Sequence, residues 1–173
     1  MRAAIKSNRL IIKQVTWEET KDLSDSQYDL SGQGSYLKKA IAENPNLMDD
    51  ANEIIRVMDM MIDALKGDKI CWGVFLEEEM IGYVNIVRPA EEKPMLQYEI
   101  KKTYQRKGYG AEAVSTVLRL YFENNPGNSV YALIRPDNTA SIALIKKLNG
   151  KLIPPESLLE EAMFSTYLIP AAE

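Results

Sequence analysis

An α+β fold built on a mixed sheet is the class this sequence predicts. Two apolar runs joined by a short acidic turn give a hairpin in the middle of the chain, and strand–helix alternation follows it. No repeat, low-complexity tract or linker breaks the pattern, so 173 residues with 46% hydrophobic and 27% charged content read as one domain over 1–173.

The elements follow in order. Arg9–Val15 (RLIIKQV) is rich in β-branched residues and reads as an opening strand. Thr16–Gly34 is polar, with short helical pieces around Trp17–Leu23. Ala51, Ile54, Ile55, Met58, Met61, Ile62 and Leu65 keep helical spacing, which predicts a helix over 51–65 stopped by Gly67. Ile70–Leu76 and Met80–Val87 are the hairpin strands around Glu77-Glu78-Glu79. Arg88–Pro94 is a connector, and Met95–Ile100 alternates as a strand.

After the glycine-bearing segment Gln105–Gly110, Ala111, Val114, Val117, Leu118 and Tyr121 share one helix face, and Asn124-Asn125-Pro126-Gly127 ends that helix. Val130–Ile134 is the next strand. Asp137 or Asn138 then caps a helix carrying Leu144, Ile145 and Leu148, stopped by Asn149-Gly150. Lys151–Ile153 and Met163–Ile169 read as closing strands around a charged connector, Glu156–Glu161.

Composition removes whole classes of chemistry. Cys71 is the single cysteine and there is no histidine, so intrachain disulfides, Cys–His and Ser–His pairs and imidazole acid–base catalysis are excluded. The same absences remove most metal chemistry, and no metal is expected. A net charge of -4 argues against a general nucleic-acid partner. Met1–Lys13 has no apolar core of a signal peptide, and no run reaches the roughly 20 apolar residues of a membrane span. A cytoplasmic protein without a membrane partner is the expectation.

Chemistry concentrates in Tyr98–Ala113, YEIKKTYQRKGYGAEA, where a strand enters a two-glycine loop and a helix begins at once. Helix N-termini leave backbone N–H groups unpaired and partly positive, which suits phosphates. Gly108 and Gly110 allow close approach, and Arg106 and Lys107 add charge, with Lys101 and Lys102 nearby. A pyrophosphate site and a plain turn both satisfy these features. The spacing is neither a P-loop nor a G-x-G-x-x-G fingerprint, since Ala111-Glu112-Ala113 follows Gly110.

Gln105-Arg106-Lys107-Gly108-Tyr109-Gly110 resembles the Q/R-x-x-G-x-G/A motif of the Gcn5-related (GNAT) acetyltransferases. Asn138-Thr139-Ala140-Ser141 through Leu144, Lys147 and Gly150 is similar to the family's N-x-x-S/A-x-x-L-x-x-K-x-G segment, with one residue inserted before the glycine. Met80-Ile81-Gly82-Tyr83-Val84 resembles its "IG" strand, and Asn8-Arg9-Leu10-Ile11-Ile12 its first strand. The resemblance covers nearly the whole chain and points to a RimJ/RimL-like subgroup. It implies a sheet of six or seven strands flanked by about four helices, with the fourth strand ending in a bulge and splayed from the fifth. The implied function is N-acetyl transfer from acetyl-CoA (CoA) to a primary amine, either a protein N-terminus or a small molecule, in a ternary complex. Many relatives are homodimers.

The resemblance also places the cofactor and acceptor. Tyr98 and Ile100 would pair by backbone with the pantetheine arm, Gln105, Arg106, Lys107, Gly108, Tyr109, Gly110 and Ala111 would hold pyrophosphate, and Asn138 and Ser141 would touch the arm and sulfur. Glu99, on the strand that meets the thioester, is the candidate base; the alternative is that it faces away. Many relatives carry an acidic tyrosine where Ile145 stands, which leaves Ser141 as candidate acid or as a simple backbone partner. Asn138 also suits a helix N-cap, Lys146 and Lys147 suit a helix C-terminus, and Glu112 reads as structural. Tyr83 and Asn85 line the amine pocket or the core. Two rival readings remain at this point: a non-catalytic acyl-CoA-binding or regulatory module of the same fold, and a nucleotide-binding protein using Gly108 and Gly110.

Overall fold

The structure is a computed structural model and describes residues 4–20, 23, 38–48, 52–57, 59 and 68–171. Its strands are β1 (Ala4–Lys6), β2 (Ile11–Val15), β3 (Lys69–Leu76), β4 (Glu79–Val87), β5 (Met95–Ile100), β6 (Ser129–Ile134), β7 (Lys151–Leu152) and β8 (Ser165–Pro170). They form one sheet in the order β1-β2-β3-β4-β5-β6-β8-β7. Every neighbouring pair is antiparallel except β5 and β6.

Helical residues are α1 (Trp17–Thr20), α2 (38–43), α3 (52–57), α4 (Tyr109–Asn124), α5 (Thr139–Lys147) and α6 (Leu158–Met163). The mixed α+β sheet matches the sequence expectation. β1 brings the strands to eight, and at three residues it is too short to carry a readable period. The expected splay of the fourth strand from the fifth therefore lies here between β5 and β6. The helix expected over 51–65 is helical at 52–57 and 59, and its remainder lies outside the described residues.

The expectation for the closing segment is corrected. The connector Glu156–Glu161 contains most of α6, and β8 starts at Ser165 because Met163 closes the helix. Ser157 is its N-cap, with Oγ accepting from Glu160 N–H at 3.0 Å. The Glu160 carboxylate is 5% exposed and well paired. It accepts from Arg56 Nη2 at 2.8 Å, Glu156 N–H at 3.1 Å and Thr166 Oγ1 at 3.2 Å. Arg56 also holds Glu53, so α3 is tied to α6 over a small core of Ala40, Leu47, Val57, Leu159, Met163 and Phe164.

The main core lies between the sheet and α4. Val114, Val117, Leu118 and Tyr121 pack on Val84, Ile86 and Leu96, all nearly inaccessible. This is the apolar stripe legible at helical spacing. Tyr121 Oη satisfies its polarity on Pro89 O at 2.8 Å.

Two features of β4 shape the site. The register with β3 shifts between Val74↔Gly82 and Phe75↔Met80, so Ile81 is the extra residue of a bulge. The register of β4 with β5 is unbroken from Val87↔Met95 to Gly82↔Ile100, so the bulge expected at the end of β5 sits on its neighbour instead. Gly82 is where the strands press closest: a Cβ there would lie 2.3 Å from Glu99 O. Only glycine keeps the backbone at that spacing. Gly82→Ala is expected to destabilise the fold by about 1–3 kcal/mol in urea titrations, through this overpacking. An unchanged midpoint would show that the strands yield freely.

Candidate active site

The site begins with an unfinished pairing. β5 and β6 share a single registered pair, Met95↔Tyr131, with Tyr131 N–H bonded to Pro94 O at 2.8 Å. On the other side, Lys101 N–H donates to Ile81 O at 2.8 Å, which fixes the alternation along the β4–β5 ladder. Tyr98 and Ile100 therefore direct their backbone groups away from β4, toward the side that β6 has left. Gln105 Nε2 takes Ile100 O at 2.8 Å, which ties the following loop to the strand end. The rest of that edge is an open template for an extended ligand with amides.

At the foot of the edge the chain turns through Lys102–Tyr104 into α4. Arg106 (φ 63°) and Gly108 (φ 83°) both adopt left-handed backbone, and Gly108 is the N-cap. The first intrahelical bond there runs from Glu112 N–H to Gly108 O at 3.1 Å, which leaves the amides of Gly108, Tyr109, Gly110 and Ala111 ahead of it. A Cβ on Gly110 would meet only ordinary contacts, Ile100 Cγ1 and Leu144 Cδ1 at 3.6 Å. The fold thus does not require glycine at 110. Exposed amides, a helix N-terminus and neighbouring cations fit a pyrophosphate, and the β5 edge fits an arm carrying amides.

Arg9 is a residue of this site that the sequence reading missed. It reaches the loop from the turn before β2. Its Nη1 donates to Lys107 O at 3.0 Å, its Nε to Glu112 Oε2 at 2.8 Å, and its guanidinium stacks 4.6 Å from the Tyr109 ring. Arg9 N–H and Ser7 Oγ also donate to Glu112 Oε1, at 2.6 and 2.8 Å. Glu112 is thus structural, as read, but through Arg9 as well as through the helix dipole. Lys101 is committed to Glu79 at 3.0 Å, so among the flanking lysines it is turned away from the loop.

On the sheet face opposite α4, two cross-strand rows of β3, β4 and β5 run side by side: Gly73–Tyr83–Glu99 and Cys71–Asn85–Gln97. Tyr83 Oη donates to Glu99 Oε2 at 3.2 Å, so Glu99 faces this side, with the tyrosine 1% exposed. Trp17 of α1 stands edge-on over Tyr83 at 6.0 Å. Asn85 is fully buried, and neither its Oδ1 nor its Nδ2 has a hydrogen-bond partner. Burying both groups unpaired is unfavourable, and so marks a place where a polar ligand group or water is wanted.

Across the splay stands α5. Asn138 is its N-cap, accepting from Ser141 N–H at 3.2 Å, so the capping role is filled by the side chain. Ser141 is half-buried in the first turn. Ile145 is wholly buried, as a core residue at that helix position should be. Lys146 and Lys147 are exposed in the last turn, where cations complement the helix dipole.

Burial pushes the Glu112 carboxyl up, but the Arg9 amide, the Ser7 hydroxyl and the Arg9 guanidinium outweigh it and hold it below its ordinary 4.5. A depressed carboxylate stabilises the fold above that ordinary value, and the stabilisation is lost as pH falls through the lower folded value. Native protein should therefore lose urea resistance below about pH 4.5, and Glu112→Gln should flatten this dependence while lowering stability at neutral pH. Identical pH profiles would show that Arg9 and Glu112 are not coupled.

The sequence model of the acetyltransferase (GNAT) domain matches residues 9–151. No curated protein sequence matches the chain. Among solved structures, RimL, the ribosomal L7/L12 alpha-N-protein acetyltransferase, superposes with a TM-score of 0.57 at 15% identity over 100% of this chain and 96% of its own. RimJ of Mycobacterium smegmatis, solved with CoA-disulfide, gives 0.57 at 14% identity over 98% and 87%. A GNAT-family acetyltransferase of Bacillus anthracis gives 0.56 at 16% identity over 96% of both chains. At such identities these structures establish the shared fold, and the domain match spans most of the chain: it belongs to the GNAT family, enzymes that take the acetyl group from acetyl-CoA.

Proposed function

We propose that this protein acetylates a primary amine in a ternary complex, where the β5 edge meets the start of α4. One observation carries the reading: the unpaired edge of Tyr98 and Ile100 runs from the free amides of α4 to the Tyr83–Glu99 pair. Acetyl-CoA supplies an activated thioester whose carbonyl carbon a neutral amine attacks directly.

The residues divide the work by position. The amides of Gly108–Ala111, with Arg106 and Lys107, hold the pyrophosphate, and Arg9 keeps that loop in shape. Backbone groups of Tyr98 and Ile100 pair with the pantetheine arm, and the α5 turn at Asn138 and Ser141 closes the far wall. Gln105 contributes by fixing the end of β5. Holding both reactants in register is worth about 7–11 kcal/mol of the barrier.

Glu99 takes the proton from the acceptor ammonium, directly or through a water, with Tyr83 orienting its carboxylate. Tyr83 and Asn85 line the acceptor pocket, where the unpaired Asn85 amide offers one donor and one acceptor. Acceptors include a protein α-amine, the substrate type in the name of the RimL structure, and small-molecule amines. A cytoplasmic enzyme is the setting we assign, in keeping with a single buried thiol; among the described residues no helix is long and apolar enough to cross a membrane. A homodimer completes the reading.

Gly110→Asp separates site from fold. The position has room for a side chain, and an acid in the first helical turn favours the helix while repelling a pyrophosphate. Calorimetric titration is expected to show acetyl-CoA binding to the native protein, weakened at least about tenfold in the well-folded variant. The native protein should then release thiol when supplied with an acceptor amine. Equal binding by the two proteins, or none by native protein, contradicts the cofactor assignment.

A further inference from the structure

Asn85 is a polar side chain at odds with its surroundings. It lies wholly buried in the cross-strand row Val15–Cys71–Asn85–Gln97, on the sheet face opposite α4. Neither its Oδ1 nor its Nδ2 has a hydrogen-bond partner. Burial pushes the Cys71 thiol beside it up, so that thiol stays neutral, and a neutral thiol is a weak partner. A leucine of nearly the same shape would leave no polar atom unpaired. Packing alone therefore gives no reason for an amide here.

The neighbouring row on that face is Gly73–Tyr83–Glu99, where the acceptor amine meets its base. Same-face residues two apart on a strand stand about 7 Å from each other. An extended chain rises about 3.4 Å per residue, so about 7 Å from a peptide α-amine covers the N–H and C=O of the second residue. In extended backbone those two groups point the same way, as they do in a hydrogen-bonded pair of an antiparallel ladder. A primary amide matches them: its oxygen accepts the N–H, and its NH2 donates to the C=O. An alkyl diamine brings donors only, and a single hydroxyl meets both amide atoms at poor angles.

We infer that Asn85 selects the acceptor by pairing with the N–H and C=O of its second residue, so the substrate is an extended peptide with a free α-amine. The inference rests on the acetyl-transfer reading above and deepens it, because that chemistry requires only an amine, whereas this row requires a peptide. Tyr83 is nearly as buried as Asn85, and Trp17 of α1 stands over it at 6.0 Å. The acceptor therefore reaches both rows by displacing Trp17. The Asn85 amide is already stripped of water in the folded protein, so both hydrogen bonds favour the peptide that makes them.

The test changes one atom of the acceptor. Alanyl-alanine N-methylamide is compared with its depsipeptide twin, in which an ester oxygen replaces the N–H of the second residue. Native protein should prefer the peptide by at least about tenfold in kcat/KM, and in Asn85→Leu the preference should fall to about one. Comparing the ratio between proteins cancels the different basicity of the two amines. Asn85→Leu removes two unpaired polar atoms, so its thermal midpoint should equal or exceed the native one. Asn85→Ala serves as a second variant, and the native ratio needs no variant at all. An octapeptide pair with the same first residues should show the same ratio; a higher kcat/KM for the octapeptide assigns the acceptor to a protein terminus, and an equal one to small peptides. A native ratio near one overturns the inference, as does a preference kept in Asn85→Leu. Thiol release with alkylamines but with neither peptide overturns it alone and leaves the transfer reading standing. No thiol release with any amine refutes the transfer reading, and the inference with it.

Discussion

The proposed function depends on two parallel strands parting after one pair. β5 and β6 meet at Met95↔Tyr131 and then separate, which leaves the backbone of Tyr98 and Ile100 without a strand partner. Unsatisfied strand edges are liabilities in most folds because they invite aggregation. Here the edge lies inside the molecule's own cleft, walled by α5 and continued by the amides at the start of α4. One extended ligand can complete both the sheet edge and the helix end. That is a physical reason for acetyl-CoA to lie where it is proposed to lie.

Such a cleft must be held open by the parts around it. Gly82 lets β4 approach β5 so closely that the final residues of β5 stay in register up to Ile100. Arg9 and Ser7 reach across the fold to Glu112, so the helix end that presents the free amides is anchored by the opposite end of the chain. Arg56 and the buried Glu160 do the same for α3 and α6. The polar rows on the other face are different. The Asn85 side-chain amide has no hydrogen-bond partner, an arrangement that costs stability.

How much of this was legible in the sequence follows from which interactions are local. The two glycines, the adjacent cations and the helix that follows are neighbours in the chain, so the loop at Gln105–Gly110 is readable from the sequence. Alternation in MLQYEI and the stripe from Val114 to Tyr121 gave β5 and α4 in the same way. Arg9 was not readable as a site residue, because its partners lie about a hundred residues away. The capping pair of Ser157 and Glu160 was present in the sequence but lay within an acidic run that reads as a solvated connector. The unpaired states of Asn85 and Tyr98 are properties of packing, to which no periodicity points. Glu99 and Asn138 lie between: the sequence left two roles for each, and the structure turns Glu99 toward Tyr83 and gives Asn138 its cap.

Amide hydrogen exchange in the presence and absence of saturating acetyl-CoA tests the central claim most directly. If the β5 edge and the α4 terminus together receive the cofactor, the amides of Tyr98, Ile100 and Gly108–Ala111 become protected as one group on binding. Amides of Tyr83 and Glu99, already paired across the β4–β5 ladder, change far less. Acetyl-CoA bound with the amides of Tyr98 and Ile100 exchanging as fast as before would contradict the account, because the open edge would then not be where the ligand lies.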